Sequence, residues 1–180
     1  MKYRNLGKTG IEISEVGFGA WGIGGATKGA TSYGDTDDEI SRDALRAAYD
    51  AGITFFDTSD LYGYGRSEKL IGETLKHVRK NIVIASKVGL LDADGPQDFS
   101  ADHLTESLEK SLARLQTDYL DLYQLHCPSI GLIEKNGETL AALRAFVAEG
   151  KVRAIGISVR SPDEGLMAAE GFGFQSIQPS

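Results

Sequence analysis

The sequence predicts an α/β fold built on a parallel sheet. From Val16 onward, short apolar runs that are typical of strands alternate with longer segments of helical periodicity. Six such runs follow one another at a spacing of roughly thirty residues, which fits right-handed crossovers between parallel strands. This pattern predicts the parallel pairing but leaves open whether the sheet is flat or closes on itself.

The composition excludes several classes of protein. A length of 180 residues suffices for one domain with a sizeable core. A net charge of −7 argues against general binding to nucleic acids or membrane surfaces, and no apolar run approaches the roughly 20 residues that span a bilayer. The single cysteine, Cys127, cannot form an internal disulfide, which favours the reducing cytoplasm.

The N-terminal segments predict a hairpin and a first strand. Residues 3–6 and 11–13, joined by a turn at Gly7 to Gly10, are typical of a small β-hairpin. The first strand of the sheet is expected at Val16 to Gly19, and a glycine-rich loop continues through Gly34.

The first helix is expected to begin near Thr36. Thr36 and Glu39 have the spacing of a capping box, and Gly52 stands where a helix commonly ends. The residues expected on its apolar face are Ile40, Ala44, Ala47 and Ala48.

Later segments repeat the alternation. We expect strands at 53–56, 82–85, 119–125 and 152–157 and the start of another at 174–177. A helix from about Ser67 would bury Leu70, Ile71, Thr74 and Leu75, and a helix capped by Ser100 would bury four leucines. Those leucines are Leu104, Leu108, Leu112 and Leu115; further helices are expected at 138–149 and after Pro162.

A glycine motif near the first strand has two interpretations. Residues 17–22 match the G-x-G-x-x-G pattern of dinucleotide-binding folds. That site needs a helix opening directly on the third glycine, so that its N-terminus faces the pyrophosphate. Here residues 23–26 are still loop-like, which favours a glycine-rich loop after a strand over a dinucleotide fingerprint.

Polar residues stand at equivalent points of successive units. Asp57, Lys87 and His126 each follow a predicted strand, and Tyr62 lies in the loop beyond Asp57. In a parallel barrel the carboxyl ends of the strands share one face, so these side chains are expected to converge. Taken singly, a helix cap, a surface charge and a core histidine would explain three of them.

The combination fits the reduction of a carbonyl group. Such a reaction delivers a proton to oxygen, and a tyrosine phenol with its ordinary pKa of about 10 donates poorly near neutral pH. The ammonium of Lys87 would lower the pKa of Tyr62, and Asp57 would hold Lys87 charged and oriented. His126 would hydrogen-bond the carbonyl oxygen. The histidines and Cys127 show no metal-ligand spacing, so no metal is expected.

Five segments together resemble the aldo-keto reductase family. They are residues 52–72 around Asp57 and Tyr62, 84–87 ending at Lys87, 121–126 ending at His126, 152–158, and 17–21. The resemblance implies a TIM-type (β/α)8 barrel, of which about six βα units are present. It also implies reduction of aldehydes or ketones with NADPH, less often NADH.

The resemblance also implies residue roles. Tyr62 would be the proton donor, Lys87 and Asp57 would tune it, and His126 would orient the substrate. The expected contacts to the nicotinamide end of the cofactor are Asp57, Ala20, Trp21, Ser158 and Gln178. Trp21 would either wall the substrate pocket or plug the barrel rim.

Two departures from the family pattern qualify these expectations. Val159 stands where the family usually has asparagine, so one hydrogen bond to a carboxamide is in question. A full barrel typically needs about 250 residues, so residues 1–180 are expected to form one incomplete domain that lacks the C-terminal strands. A cut protein and a natural half-barrel would both have open sheet edges, through which self-association is expected.

Other functional classes remain as alternatives. A reductase-like binding or regulatory subunit without turnover is the main one, although a scaffold has no physical need for a lysine–aspartate pair beside a tyrosine. A lyase or isomerase on the same barrel would need a phosphate or metal site, for which the sequence shows no pattern. For the enzyme, the expected partner is a small carbonyl substrate.

Overall fold

A computed structural model describes residues 1–26, 33–92, 95–135 and 137–179. The chain begins with the expected antiparallel hairpin, in which β1 (Tyr3–Asn5) pairs with β2 (Glu12–Ser14). A glycine-rich loop was expected to follow the first strand of the sheet and to run through Gly34. Residues 27–32 of this loop lie outside the described ranges.

A six-stranded parallel sheet follows, as the alternation predicts. Its strands lie side by side in chain order, so each strand pairs with the next one along the sequence. They are β3 (Gly17–Gly19), β4 (Phe55–Asp57), β5 (Val83–Val88), β6 (Leu120–Leu125), β7 (Val152–Val159) and β8 (Ser176–Pro179). In the described part of the chain, β3 and β8 each have one strand neighbour and form the two edges.

Helices connect the strands and cover one face of the sheet. They are α1 (Asp38–Asp50), α2 (Arg66–Leu75), α3 (Ala101–Leu115), α4 (Ile130–Lys135), α5 (Gly137–Ala148) and α6 (Pro162–Gly171). Short 3₁₀ turns occur at Gly22–Gly24 and Lys76–Asn81. The second of these turns and α4 were not expected from the periodicity. No described helix has both the length and the apolar character needed to cross a membrane.

Two apolar clusters stabilise this arrangement. The larger one fills the space between the sheet and its helices and includes the four leucines predicted on α3. The smaller one lies on the other face of the sheet, where Ile11 and Ile13 of the hairpin region pack against Val83, Leu122 and Ala154. The hairpin therefore covers the concave face of the sheet near its N-terminal end and leaves the carboxyl ends of the strands for polar groups.

The first helix differs from the expectation. Asp37, not Thr36, is the N-cap, since its carboxylate accepts the backbone N–H groups of Glu39 and Ile40. The buried residues of α1 are Ser41, Leu45 and Ala48, whereas Ile40 is 71% exposed. The predicted capping box is therefore wrong, and the predicted apolar face is right at Ala48 but wrong at Ile40, because the side of α1 that meets the sheet carries Leu45.

The cap assignment is testable by paired substitutions. Asp37→Ala is expected to lower the free energy of unfolding by about 1 kcal/mol, because two backbone N–H groups lose their acceptor. Thr36→Ala is the matched control, since the Thr36 hydroxyl is buried without a hydrogen-bond partner among the described residues. Urea unfolding of both variants checks this; a larger loss for Thr36→Ala would return the cap to Thr36.

Candidate functional site

Two of the predicted site residues lie inside strands, not after them. Asp57 is the last residue of β4, and Lys87 is the fifth residue of β5. The apolar run at 82–85 predicted that β5 ends before Lys87, because the strand continues with polar side chains. In the structure β5 runs on past these residues, and Lys87 pairs with Gln124 of β6. His126 follows β6 directly, as expected. All three stand at the carboxyl end of the sheet.

Lys87 links Asp57 to Tyr62. Its Nζ donates to Asp57 Oδ2 at 2.6 Å, to the Tyr62 hydroxyl at 3.1 Å and to the carbonyl oxygen of Thr58 at 3.0 Å. These three bonds use the full donor capacity of an ammonium group. The side chain of Lys87 is only 3% exposed, so solvent screens these contacts weakly.

The ionisation of this trio follows from burial and from mutual contact. Burial lowers the pKa of Lys87, but the charges and hydrogen bonds of Asp57 and Tyr62 outweigh burial, so the net pKa is raised and the ammonium is retained. Burial raises the pKa of Tyr62, and Lys87 opposes this without overcoming it. Lys87 thus acts to lower the pKa of Tyr62, as predicted. The predicted net lowering of that pKa is wrong for this structure, because burial raises the pKa by more than Lys87 lowers it.

His126 lies beside Tyr62. The two rings meet edge to face, with centroids 5.9 Å apart at an interplanar angle of 83°. Nδ1 of His126 lies 3.2 Å from the hydroxyl oxygen of Ser59. Burial, together with the positive charges of Lys87 and Arg160, lowers the pKa of His126 to about 3, so the imidazole is neutral near physiological pH.

The glycine-rich loop positions the loop that carries Tyr62. A Cβ on Gly24 would lie 2.9 Å from the carbonyl carbon of Tyr62, and Gly63 has a φ of +63° against the backbone of Gly24. Only residues without a side chain allow two backbones to approach so closely. Gly24, which lies two residues beyond the G-x-G-x-x-G pattern, therefore has a structural role in placing Tyr62.

The residues expected to contact the nicotinamide lie around the same strand ends, in two settings. Ala20 is fully buried, and its backbone N–H donates to the Asp57 carbonyl oxygen at 2.8 Å. Trp21 is half-buried against Tyr33, with ring centroids 4.8 Å apart. Ala20 thus presents no side-chain surface for a ligand, whereas Trp21 does.

Gln178 lies beside Asp57, and Ser158 lies near the carboxyl end of β7. Gln178 Nε2 is 3.4 Å from Asp57 Oδ2, and Gln178 Oε1 is 3.3 Å from Gln124 Nε2. The Ser158 hydroxyl accepts the backbone N–H of Cys127 at 3.0 Å. Sequence reasoning missed Gln124; the available signal was a polar residue two positions before His126, on the face of β6 that otherwise carries Leu120 and Leu122.

A second buried network behind the site was also missed. Glu68 is fully buried; its Oε1 accepts the Ser86 hydroxyl at 2.5 Å, and its Oε2 accepts Nε of Arg114 at 2.6 Å. These bonds tie α2 and α3 to β5 next to Lys87. Within the described ranges, no group of three His, Cys, Asp or Glu side chains is arranged to hold a metal ion.

Val159, which replaces the expected asparagine, is fully buried. Its Cγ2 lies near Gly165 of α6, where a Cβ would come within 3.6 Å of it. This side chain therefore packs between β7 and α6, on the opposite side of the strand from Ser158.

Comparisons with known proteins identify the family of the chain. The model of the Aldo/keto reductase family matches residues 15–180. The chain is 42% identical over 164 residues to aldo-keto reductase YhdN of Bacillus subtilis, covering 88% of this chain and 47% of that protein. It is 35% identical over 170 residues to the NADH-specific methylglyoxal reductase of Escherichia coli, covering 87% of this chain and 51% of that protein.

Solved structures show the same fold. Aldo-keto reductase AKR11C1 from Bacillus halodurans, solved in its holo form, aligns with a TM-score of 0.86 and 34% identity, covering all of this chain and 57% of that one. The six-stranded sheet with its helices is thus part of a TIM-type barrel, as expected. The chain spans about half the length of the curated relatives it matches. Its sequence, its sheet and the match over residues 15–180 together show that the chain belongs to the aldo-keto reductase family.

Proposed function

We propose that this chain carries the acid–base site of an enzyme that reduces aldehydes or ketones to alcohols with NADPH. One observation carries the proposal: the buried ammonium of Lys87 bridges the carboxylate of Asp57 and the phenol of Tyr62 within 3.1 Å. A phenol held by a charged donor is suited to transferring a proton to an oxygen that gains negative charge.

Tyr62 would act as the proton donor. Burial raises the pKa of Tyr62, which keeps the phenol protonated at neutral pH but makes it a weaker acid. As the proton leaves, the nearby ammonium stabilises the phenolate that forms. Asp57 keeps Lys87 oriented and charged, so the proton on Tyr62 is the one delivered.

His126 would orient the carbonyl. Its neutral imidazole stands edge to face with Tyr62, where one ring nitrogen is available to donate a hydrogen bond to the same oxygen. A donor fixed in place before the reaction stabilises developing negative charge without reorganisation.

The polar groups near Asp57 fit the nicotinamide end of the cofactor. Gln178 offers a carboxamide and Ser158 a hydroxyl, which together can both donate to and accept from an amide. These two residues, with Asp57 and Trp21, would hold that end of the cofactor, and Ala20 would contribute through its backbone. When bound, the cofactor supplies the hydride. The relative named as NADH-specific makes NADH the comparison for NADPH.

The experiment is a turnover assay on the protein that contains this chain. Oxidation of NADPH and of NADH is followed by absorbance in the presence of small aldehydes, ketones and dicarbonyls. We expect carbonyl-dependent oxidation, faster with NADPH. Faster oxidation with NADH would reverse the cofactor proposal, and absence of turnover with every carbonyl would contradict the enzymatic one.

A regulatory role is the second candidate. A probable voltage-gated potassium channel subunit beta of Arabidopsis thaliana is 33% identical to this chain over 156 residues. The intact contacts among Asp57, Tyr62 and Lys87 favour the enzyme. Burying an ammonium costs free energy, and a binding scaffold gains nothing from a buried ammonium at this position. Binding of cofactor without turnover would favour the regulatory role.

Two further expectations remain proposals: location in the cytoplasm and self-association through the open edges of the sheet. Unpaired N–H and C=O groups of β3 and β8 are templates for another strand. Sedimentation of residues 1–180 expressed alone is expected to show oligomers or aggregates, and a stable monomer would contradict this.

A further inference from the structure

A short row of side chains leads from His126 toward the outside of the sheet. Nδ1 of His126 lies 3.2 Å from Ser59 Oγ, and the same oxygen lies 3.2 Å from Asp60 Oδ1. Ser59 is fully buried, whereas Asp60 is half-buried and lines a surface cavity of about 170 Å³. The row therefore connects the ring edge of His126 to solvent on the far side of the Tyr62 loop.

The hydroxyl of Ser59 has a fixed capacity for hydrogen bonds. It accepts the backbone N–H of Leu61 at 3.1 Å, which uses one of its two lone pairs. One lone pair and one proton remain for its other two neighbours, Asp60 and His126. Ser59 must therefore donate to one of these neighbours and accept from the other.

With Asp60 ionised, the direction of the row is set. A carboxylate only accepts, and hydrogen bonds to charged groups are roughly twice as strong as neutral ones, so Ser59 donates to Asp60. Nδ1 of His126 then carries the imidazole proton and donates it to Ser59. The opposite ring nitrogen, Nε2, is left with a lone pair and no proton.

With Asp60 protonated, the row reverses. The carboxylic acid donates to Ser59, Ser59 donates to Nδ1 of His126, and the proton of the neutral imidazole resides on Nε2. One proton has been added at Asp60, and the imidazole proton has changed its nitrogen. Every lone pair and proton of Ser59 is satisfied in both arrangements.

We propose that Ser59 and Asp60 are positioning residues that select the tautomer of His126 and so decide whether Nε2 presents a proton to the substrate oxygen. The part of this proposal that concerns substrate rests on the proposed carbonyl reduction. The tautomer itself is a property of the chain and is measurable without turnover.

The groups around Asp60 and His126 determine the pH range in which the tautomer of His126 changes. Burial and the neighbouring charge of Glu68 raise the pKa of Asp60 to about 7, against the opposing effects of Ser59 and Arg114. The His126 ring stays neutral down to about pH 3 because burial, Lys87 and Arg160 all disfavour its charged form. The charged or titratable groups that face Asp60 from the packed elements are Glu68 of α2, Lys110 and Arg114 of α3, Tyr123 of β6 and Tyr64 of its own loop.

The test is nitrogen NMR of the protein labelled with ¹⁵N-histidine. The sequence has three histidines, so His77→Gln and His103→Gln assign the signals of His126. From about pH 5 to about pH 9, where a neutral imidazole is expected, the proton of His126 should move from Nε2 to Nδ1 with a midpoint near 7. Asp60→Asn should abolish this change, because a carboxamide does not titrate in this range and the direction of its hydrogen bond with Ser59 then no longer depends on pH.

Two further variants sharpen the measurement. Ser59→Ala removes the link, so the tautomer of His126 should no longer follow pH. Asp50→Asn, an exposed position at the end of α1, is the control and should behave as the parent. If Ser59→Ala fails to fold, Asp60→Asn decides alone, since Asp60 borders a cavity that accommodates the amide.

Activity gives a second readout. The parent's kcat/KM for a carbonyl is expected to fall about tenfold or more as pH rises through 7, because the substrate oxygen loses a donor, and Asp60→Asn should not show this step. A single tautomer of His126 across the range, or an unchanged midpoint in Asp60→Asn, would overturn the proposal. Tautomer exchange in a protein without any carbonyl turnover would support it while contradicting the proposed function.

Discussion

Tyr62→Phe is expected to reduce the rate of carbonyl reduction by about 10²–10⁴-fold. The substitution removes one oxygen, leaves the ring in contact with His126, and eliminates the group that delivers the proton; general acid catalysis alone contributes a factor of that size. The Lys87 ammonium keeps its bonds to Asp57 and to the carbonyl oxygen of Thr58, so the fold should persist. Steady-state kinetics with a saturating cofactor measure the effect.

Tyr64→Phe is the matched control for this variant. Tyr64 stands two residues away in the same loop and is 52% exposed, so its hydroxyl is placed at the surface. Its removal should leave kcat within about a factor of two, as surface substitutions usually do. Turnover by Tyr62→Phe at the parent's rate would show that another group supplies the proton.

Lys87→Met is expected to have a large effect on both rate and stability. Without the ammonium, the carboxylate of Asp57 loses its ion-pair partner. Breaking a buried ion pair in this way typically costs about 3–5 kcal/mol. The phenol of Tyr62 loses the charge that stabilises its ionised form, so its pKa rises further. We expect a fall in kcat of about 10²-fold or more and a lower urea midpoint.

The pH dependence of the rate distinguishes an effect of Lys87 on the pKa of Tyr62 from an effect on the stability of the fold. Carbonyl reduction needs the protonated phenol, so its rate declines as pH rises through the pKa of Tyr62, and that decline should move to higher pH in Lys87→Met. The pH dependence of stability comes from the titration of Lys87 and not from that of Tyr62. Because the pKa of Lys87 is raised, the contribution of its ammonium to stability is fully present below the ordinary lysine pKa and is lost as pH rises through the folded-state pKa. Lys151→Met, which removes a surface ammonium paired with Glu109 and Glu149, is the control. Coincident pH–rate profiles for the parent and Lys87→Met would leave Lys87 a structural role only.

Local sequence patterns predicted those elements whose signals lie within a few residues. The stripe of leucines on α3 and its Ser100 cap were both confirmed, because a helix buries one face whatever packs against it. At α1 the capping-box spacing predicted Thr36 as the cap, whereas the neighbouring Asp37 caps the helix. Ile40 and Leu45 lie five positions apart and so on different sides of the helix, and the packing of α1 on the sheet decides which side is buried.

The site was predictable to the extent that strand ends meet at one edge of a parallel sheet. That rule placed Asp57, Lys87 and His126 near one another before any geometry was known. It could not give the pairing of Glu68 with Arg114, since these residues lie 46 positions apart and meet only through the packing of α2 on α3. The contact between Ser59 and His126 likewise depends on how the Tyr62 loop folds over β6.

On the proposed function, this chain delivers a proton to a carbonyl oxygen, and the carbonyl carbon receives hydride from the cofactor. Reduction of a simple aldehyde with cofactor carrying deuterium at both positions of the reactive nicotinamide carbon, followed by mass spectrometry of the alcohol, tests this directly. We expect one carbon-bound deuterium per product molecule in the parent and very little product from Tyr62→Phe. Alcohol without deuterium, or equal amounts of labelled alcohol from the parent and Tyr62→Phe, would contradict the claim.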